Sequence, residues 1–415
     1  MNILQNRIPI QKSVEYIALI YAFTLPLSRA AVSITSALLL LLWLLDKDLK
    51  ERFLLAVKNP LILSLGVFIL FSAFSLLWSD NVLRGVLQLK HYWFILPLFA
   101  FFSYVRQELI PKIISAFLLG MIISEILSYG IFFELWSFGN ATPENPSPIM
   151  NHIHYSTFLA LTSLLLLNRF FFETQLKWKV AYFLYFLLTS SNLFINGGRT
   201  GQLAYLFGIF VVGMVNVKRK MLAFISIFIL ASFIFATAFS ISPNFKSRVN
   251  TTLHAITQIE SGTNQMYASS FGTRLGAWMV GMKIFKDHPI LGVGVGSEMD
   301  ALKEKIDTTM PELKTFHPEY GPLLYNIKHY HNSYVTYLVE MGIVGLFIFL
   351  AIFYSIIKLP VKNREIHNLQ YIFVTVFMVA CFFEQMFALE FPLALFTLFS
   401  GIFIAASKED LKFNA

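Results

Sequence analysis

Charge is what this sequence most lacks. Only 13% of its 415 residues are Asp, Glu, Lys or Arg, about half the roughly 25% of an average soluble domain. A soluble globular chain of this length could not cover its surface with so few charges. The same scarcity, set against 56% hydrophobic residues, excludes an intrinsically disordered chain. Cysteine is rarer still, with Cys381 alone in an apolar run. An intramolecular disulfide is therefore impossible, no Cys/His zinc spacing exists, and cysteine usage says nothing of the redox compartment. What abounds is apolar: 44 Phe, 16% aromatics and a mean hydropathy of +0.65. The class that remains is an all-α polytopic membrane protein.

A bilayer span needs about 17–25 apolar residues. About twelve stretches qualify, near 13–28, 30–45, 60–78, 92–105, 113–133, 153–168, 180–196, 201–217, 221–241, 333–357, 369–385 and 388–406. They predict a single integral membrane domain over 1–415. The net charge of +8 resembles a nucleic-acid signal, but its placement in short membrane-flanking loops points to orientation instead. Loops of one parity hold Arg7 and Lys12, then Lys47, Lys50, Arg52 and Lys58, then Arg106 and Lys112, then Arg169, Lys177 and Lys179. The same parity continues with Lys218, Arg219 and Lys220, then Lys358, Lys362 and Arg364, then Lys408 and Lys412. The short loops of the other parity hold only Arg29, Arg84, Lys90 and Arg199. A ratio of about 19 to 4 makes the first set cytoplasmic, and both termini with it. Residues 1–12 resemble the basic start of a signal peptide, but an uncleaved first helix fits the alternation better.

One loop of the outer parity is exceptional. It covers about residues 242–331, between the ninth and tenth spans, and loops this long are usually functional. Two stretches in it look helical, Thr273–Lys286 and Glu298–Asp307.

Candidate chemistry gathers on this outer side. Gly198-Arg199-Thr200-Gly201 joins two spans. An Arg at a tight membrane turn needs a partner, and a guanidinium flanked by Gly suits a phosphate. A guanidinium snorkelling to headgroups is the other reading. Arg274 precedes a run in which Gly292, Gly294 and Gly296 alternate. That run superficially resembles a phosphate loop, but it lacks the P-loop Lys and the Rossmann spacing. A turn packed on neighbouring helices is the plainer expectation. His329, His331, Asn332 and Ser333 close the long loop. Asn332 or Ser333 suits a helix cap, and His331 suits a general base for a hydroxyl, since imidazoles as a class exchange protons near neutral pH. An interfacial His with a structural hydrogen bond remains the alternative.

Other residues speak less clearly. Arg84 and Lys90 would add positive potential for an anionic lipid or merely anchor headgroups. Glu125 is an acid within a span, functional by default, unless it faces the bundle and accepts a hydrogen bond. His152 and His154, at i and i+2, do not share a helix face, which argues against a metal there. Glu384 and Glu390 stand in the last outer turn with no evident partner.

Taken together, these motifs resemble the O-antigen ligase/polymerase family. Gly198-Arg199-Thr200-Gly201 is similar to its Arg turn. Arg274…Trp278…His288-Pro289-Ile290-Leu291-Gly292-Val293-Gly294 resembles its long-loop signature. His331-Asn332-Ser333-Tyr334…Glu340-Met341-Gly342-Ile343-Val344-Gly345 resembles its third signature. The resemblance implies a GT-C-type glycosyltransferase of the bacterial inner membrane, with its active site on the periplasmic face and 242–331 as a catalytic loop. A WaaL-like ligase moves O-antigen polysaccharide from undecaprenyl pyrophosphate to a lipid A-core sugar hydroxyl. It uses no metal, cofactor, nucleotide or nucleic acid, and its partners are those two substrates and the membrane lipids.

Carried over residue by residue, Arg199 and Arg274 hold the pyrophosphate and His331 is the base. Arg84, Lys90, His329, Asn332 and Gly198 would support them. An O-antigen polymerase is the alternative within the family. A protein O-oligosaccharyltransferase is a further one, disfavoured because the sequence given ends about nine residues after its last span. A polysaccharide transporter would show two related halves, and no such correspondence is visible.

Overall fold

The structure, a computed structural model, describes residues 3–217, 220–241, 246–247, 249–250, 253, 270–311 and 324–408. Of the basic residues used for orientation, Lys218, Arg219 and Lys412 lie outside the described residues, as do 254–269 and 312–323 of the long loop. The described chain is helical, with no strand among the described residues. In order the helices are α1 (Ile3–Thr24), α2 (Arg29–Leu44), α3 (Leu49–Ala56), α4 (Pro60–Phe74), α5 (Val82–Leu89), α6 (Leu98–Tyr104), α7 (Ile110–Phe132) and α8 (His152–Phe172). There follow α9 (Leu176–Ile195), α10 (Arg199–Asn216), α11 (Lys220–Ile241), α12 (Ser270–Asp287), α13 (Glu298–Thr309), α14 (Ser333–Lys358), α15 (Arg364–Phe383) and α16 (Glu390–Ser407). The two stretches of the long loop that look helical are α12 and α13.

A helix lies over each of the twelve apolar stretches, but helix and span are different findings. Seven helical runs among the described residues are long and apolar enough to cross a membrane. An eighth is added if α2 and α3, bent by 114°, count as one span. Two of the stretches that fall short, α9 and α10, carry polar seams toward their neighbours. Ser190 on α9 bonds Ser163 on α8 at 2.7 Å and Tyr205 on α10 at 2.8 Å. Asn216 on α10 bonds Asn168 on α8 at 3.1 Å and is bonded by Asn368 on α15 at 3.0 Å. Such residues lower the hydropathy of α9 and α10 while gluing them to their neighbours. Glu125 belongs to the same class: on α7 it accepts from Tyr185 at 3.2 Å and Thr189 at 3.1 Å, both on α9. At the centre, α16 is apolar on every side and 89% buried across its most apolar stretch.

The feature that positions everything near the long loop is a break in α14. Gly342 has φ 65° and ψ −162° inside this 26-residue helix, a region essentially reserved for Gly. The break strips backbone groups of their helical partners, which inside a membrane protein must be replaced. Residues 289–296 replace them. Val293 N–H donates to Val339 C=O at 2.9 Å and Gly294 N–H to Glu340 C=O at 2.8 Å. In return Ile343 N–H donates to Pro289 C=O at 2.9 Å and Val344 N–H to Ile290 C=O at 3.4 Å. The far side of the loop is held by α4 and the turn after it: Ser75 Oγ accepts from Val295 N–H at 3.1 Å, and Trp78 Nε1 donates to Leu291 C=O at 3.3 Å.

The two backbones meet too closely for side chains. A Cβ on Gly342 would stand 2.2 Å from Ile290 O, and one on Gly292 would stand 2.4 Å from Val339 O. The glycine run is thus a packed turn whose N–H groups at 293, 294 and 295 are already engaged, so they do not cradle a phosphate.

Gly342→Ala is expected to cost about 2 kcal/mol or more, from strain and collision together. Gly66→Ala in α4, where nothing lies within 4 Å of the added carbon, is the matched control and should be neutral. Thermal unfolding of the two variants in detergent reads the difference; equal midpoints would show that the break is not a strained, interlocked joint.

Candidate functional site

The site is built where α14 begins. Asn332 caps the helix, its Oδ1 accepting from Tyr334 N–H at 2.9 Å and Val335 N–H at 3.1 Å, so the role of this residue is structural. Just before it, His331 has φ 50°, an uncommon conformation for a residue with a side chain. This left-handed step brings the rings of His329 and His331 to 3.8 Å between centroids. Both rings turn to one carboxylate. His331 Nδ1 lies 3.0 Å from Glu384 Oε2, and His329 Nδ1 lies 3.4 Å from Glu384 Oε1.

Glu384 is the residue that sequence reasoning missed, having been read as partnerless. It follows α15 directly and is buried, while the His331 side chain stays 25% exposed. Its main chain is fixed as well, because Ser333 Oγ donates to Glu384 C=O at 2.8 Å. Burial raises the Glu384 carboxyl, but the His331 hydrogen bond and the neighbouring imidazoles outweigh it and hold the group at about 2. Glu384 is a carboxylate at neutral pH. His329 is pushed down to about 4, chiefly by burial, against the pull of Glu384, and is neutral at that pH. The signal for Glu384 was present all the same: an acid at the end of an apolar run, with no cation nearby in sequence, needs a distant partner. Glu390, also read as partnerless, pairs with Arg29 across the same end of the bundle.

Arg274, on α12, lies within the electrostatic field of this cluster. Its guanidinium is partly buried, which lowers its pKa, and the charge of Glu384 acts in the opposite sense. Four residues on, and therefore on the same helix face, Trp278 Nε1 donates to Tyr330 C=O at 2.7 Å. Its ring meets Phe382 edge-on at 5.4 Å. Trp278 thus braces α12 against Tyr330, just before His331, and against Phe382, near the end of α15.

Arg199 opens α10, one helix away. Its turn is seated on the first turn of α8: a Cβ on Gly198 would meet Ser156 Oγ at 2.2 Å, and Gly201 N–H donates to Ser156 Oγ at 3.1 Å. Gly198 therefore serves close packing. His154, on that same turn of α8, lies within the electrostatic field of Glu384. The structure thus sets His329 and His331 against one carboxylate, places Arg274 within its electrostatic field and seats the helix start of Arg199 on α8. Lys90 is exposed where α5 ends and does not join the cluster.

Arg84 does join, but as a strut. Its Nη2 donates to Glu298 Oε1 at 2.9 Å and to Lys328 C=O at 3.1 Å. Gln88 Nε2 adds a bond to Glu298 at 3.1 Å, and Tyr330 OH donates to Glu298 C=O at 3.2 Å. Buried Glu298 also lies within the electrostatic field of buried Glu340, beside the α14 break. Arg84 therefore ties α5, α13 and the segment just ahead of His329 into one block.

Residues 184–350 match the family model described as O-antigen ligase, Wzy_C. This stretch carries Arg199, Arg274, the glycine turn, both histidines and the Gly342 break, and the match bears out the family resemblance. Glu384 lies beyond the matched residues. No curated protein matches the chain at a significant level.

Replacing Arg84 by Met should destabilise the protein by about 2–4 kcal/mol, since Glu298 loses its cation in a buried setting. Adding Glu298→Gln should restore part of that loss. Thermal midpoints of the single and double variants test the strut. An unchanged Arg84→Met midpoint would return Arg84 to the candidates for substrate binding.

Proposed function

We propose that this chain, with its O-antigen ligase domain over residues 184–350, transfers polysaccharide from a polyprenyl-pyrophosphate carrier to a sugar hydroxyl of lipid A-core. The observation that carries the reading is the His331–Glu384 pair, with a part-exposed imidazole oriented by a buried carboxylate. With Nδ1 facing Glu384, the ring proton sits on Nδ1 and Nε2 is left as an acceptor. The acceptor hydroxyl gives its proton to Nε2 while its oxygen attacks the anomeric carbon. The bond from that carbon to the pyrophosphate oxygen breaks, and its electron pair leaves with the pyrophosphate. Glu384 stabilises the imidazolium that forms, in the manner of an orienting acid in a triad.

Arg274 and Arg199 supply positive charge for the leaving pyrophosphate. Charge grows there as the bond breaks, so the attraction is larger in the transition state than in the ground state. Direct displacement inverts the anomeric centre. In this reading the twelve helical stretches form a GT-C-type membrane domain of the bacterial inner membrane with cytoplasmic termini. Residues 242–331 cover a periplasmic site and exclude water. The carrier is undecaprenyl pyrophosphate. A transport reading is less well supported, because the α14 break is filled by the chain's own backbone rather than left lining a cavity.

Two variants test the chemistry. His331→Ala should lower the transfer rate by roughly 10²–10⁴-fold with the fold intact, the range for a lost general base. Glu384→Gln should lower kcat more than it changes KM. Normal activity of folded His331→Ala would remove this residue from the mechanism. Arg199→Lys keeps the charge but loses the planar fork, and transfer should fall substantially; full activity would make Arg199 an anchor for the helix start.

Deletion of the gene separates ligase from polymerase. Long glycan accumulating on the lipid carrier above bare lipid A-core supports the ligase. Single repeats on the core with loss of long chains would identify the polymerase instead.

A further inference from the structure

We propose that His329, His331 and Glu384 form a binding site for zinc, and that zinc held there silences the base. One donor atom from each residue lies within 4.8 Å of the other two. The nearest approaches to the carboxylate are 3.0 Å from His331 Nδ1 and 3.4 Å from His329 Nδ1. Tetrahedral zinc, with bonds of about 2.0–2.2 Å, sets its ligands about 3.3 Å apart, so separations of up to 4.8 Å must close by at most about 1.5 Å.

The lone pairs also converge. His329 Nδ1 accepts the His331 backbone N–H at 3.3 Å, so that nitrogen carries a lone pair and no proton, and it faces a carboxylate oxygen. Two electron-pair donors turned to each other, with a third beside them, gain from a cation between them. Two imidazoles and one carboxylate favour zinc over magnesium or calcium, which take oxygen ligands. The left-handed backbone at His331 is what allows residues two apart in sequence to share one ion. Arg274 stands in the same field and opposes a cation, so the affinity rests on the coordinate bonds.

The consequence for His331 follows from proton counting. A neutral imidazole bound to zinc through Nδ1 keeps its one ring proton on Nε2. That nitrogen then has no lone pair with which to take the proton of an acceptor hydroxyl, and Glu384 is drawn away to the metal. The inhibition rests on the proposed role of His331; the binding does not.

The test uses the purified full-length protein in detergent, freed of metal by chelator and titrated with Zn²⁺ against a chromophoric competitor. One zinc per chain is expected, with affinity falling at least tenfold in His329→Ala. X-ray absorption at the zinc edge of the wild-type protein checks the ligands without any variant, and two imidazoles should appear in the coordination shell. No stoichiometric binding, or a shell without two imidazoles, would overturn the site. Transfer measured in the same preparation should fall at least tenfold at saturating Zn²⁺ and return on adding EDTA. Zinc bound through two imidazoles without inhibition would leave the metal site standing and remove His331 as the base. Absence of binding would overturn the zinc site and leave the transfer reading untouched.

Discussion

A helix broken inside a membrane domain must find new partners for the backbone groups it releases, and the rest of this structure depends on how α14 does so. Each unsatisfied peptide group away from water costs several kcal/mol. At Gly342 the cost is removed by another stretch of backbone, residues 289–296, which trades four hydrogen bonds with the broken ends. Backbone can approach backbone that closely only where side chains are absent, which is why Gly292 and Gly342 face each other's chains. Two motifs about 50 residues apart in sequence are the two halves of one joint.

That joint fixes the geometry of the site from below. It holds α12, the glycine turn and the start of α14 in one block, with Trp278 and Tyr330 as the pins between them. Arg84 closes the block from the side of α5. A carboxylate orients an imidazole only when the two are held to within a fraction of an ångström. Here the imidazole is set by a left-handed residue just before a capped helix, and the carboxylate is fixed by both its side chain and its own carbonyl. Ser156 and Gln202 hold the helix start that bears Arg199, through Gly201 N–H to Ser156 Oγ and Gln202 Nε2 to the carbonyls of Leu193 and Asn196.

Much of this was legible in the sequence because membrane helices announce themselves by local composition. The helical stretches, the two helices of the long loop and the cap at Asn332 are all short-range properties, and each is found where the residues point. Arg274 and His331 were legible because costly residues at a membrane surface ask for a reason. What stayed hidden was pairing over long distance. Glu384 is 53 residues from His331 and in a different helical hairpin, and nothing in its own neighbourhood names its partner. Arg84 looked like free positive charge because Glu298 is 214 residues away. The glycine alternation was equally opaque, since its meaning lies in the shape of another helix.

The position of Glu384 has a consequence for how such a protein can change over time. The stretch that carries the arginines and the imidazole ends at residue 350, whereas the acid that orients the imidazole is supplied by the hairpin that follows. The two segments are therefore not interchangeable parts. Recombination that joined this stretch to a hairpin without an acid at this place would keep every signature motif and leave the imidazole without its partner. Inheritance of the motifs alone would not guarantee inheritance of the imidazole–carboxylate pair.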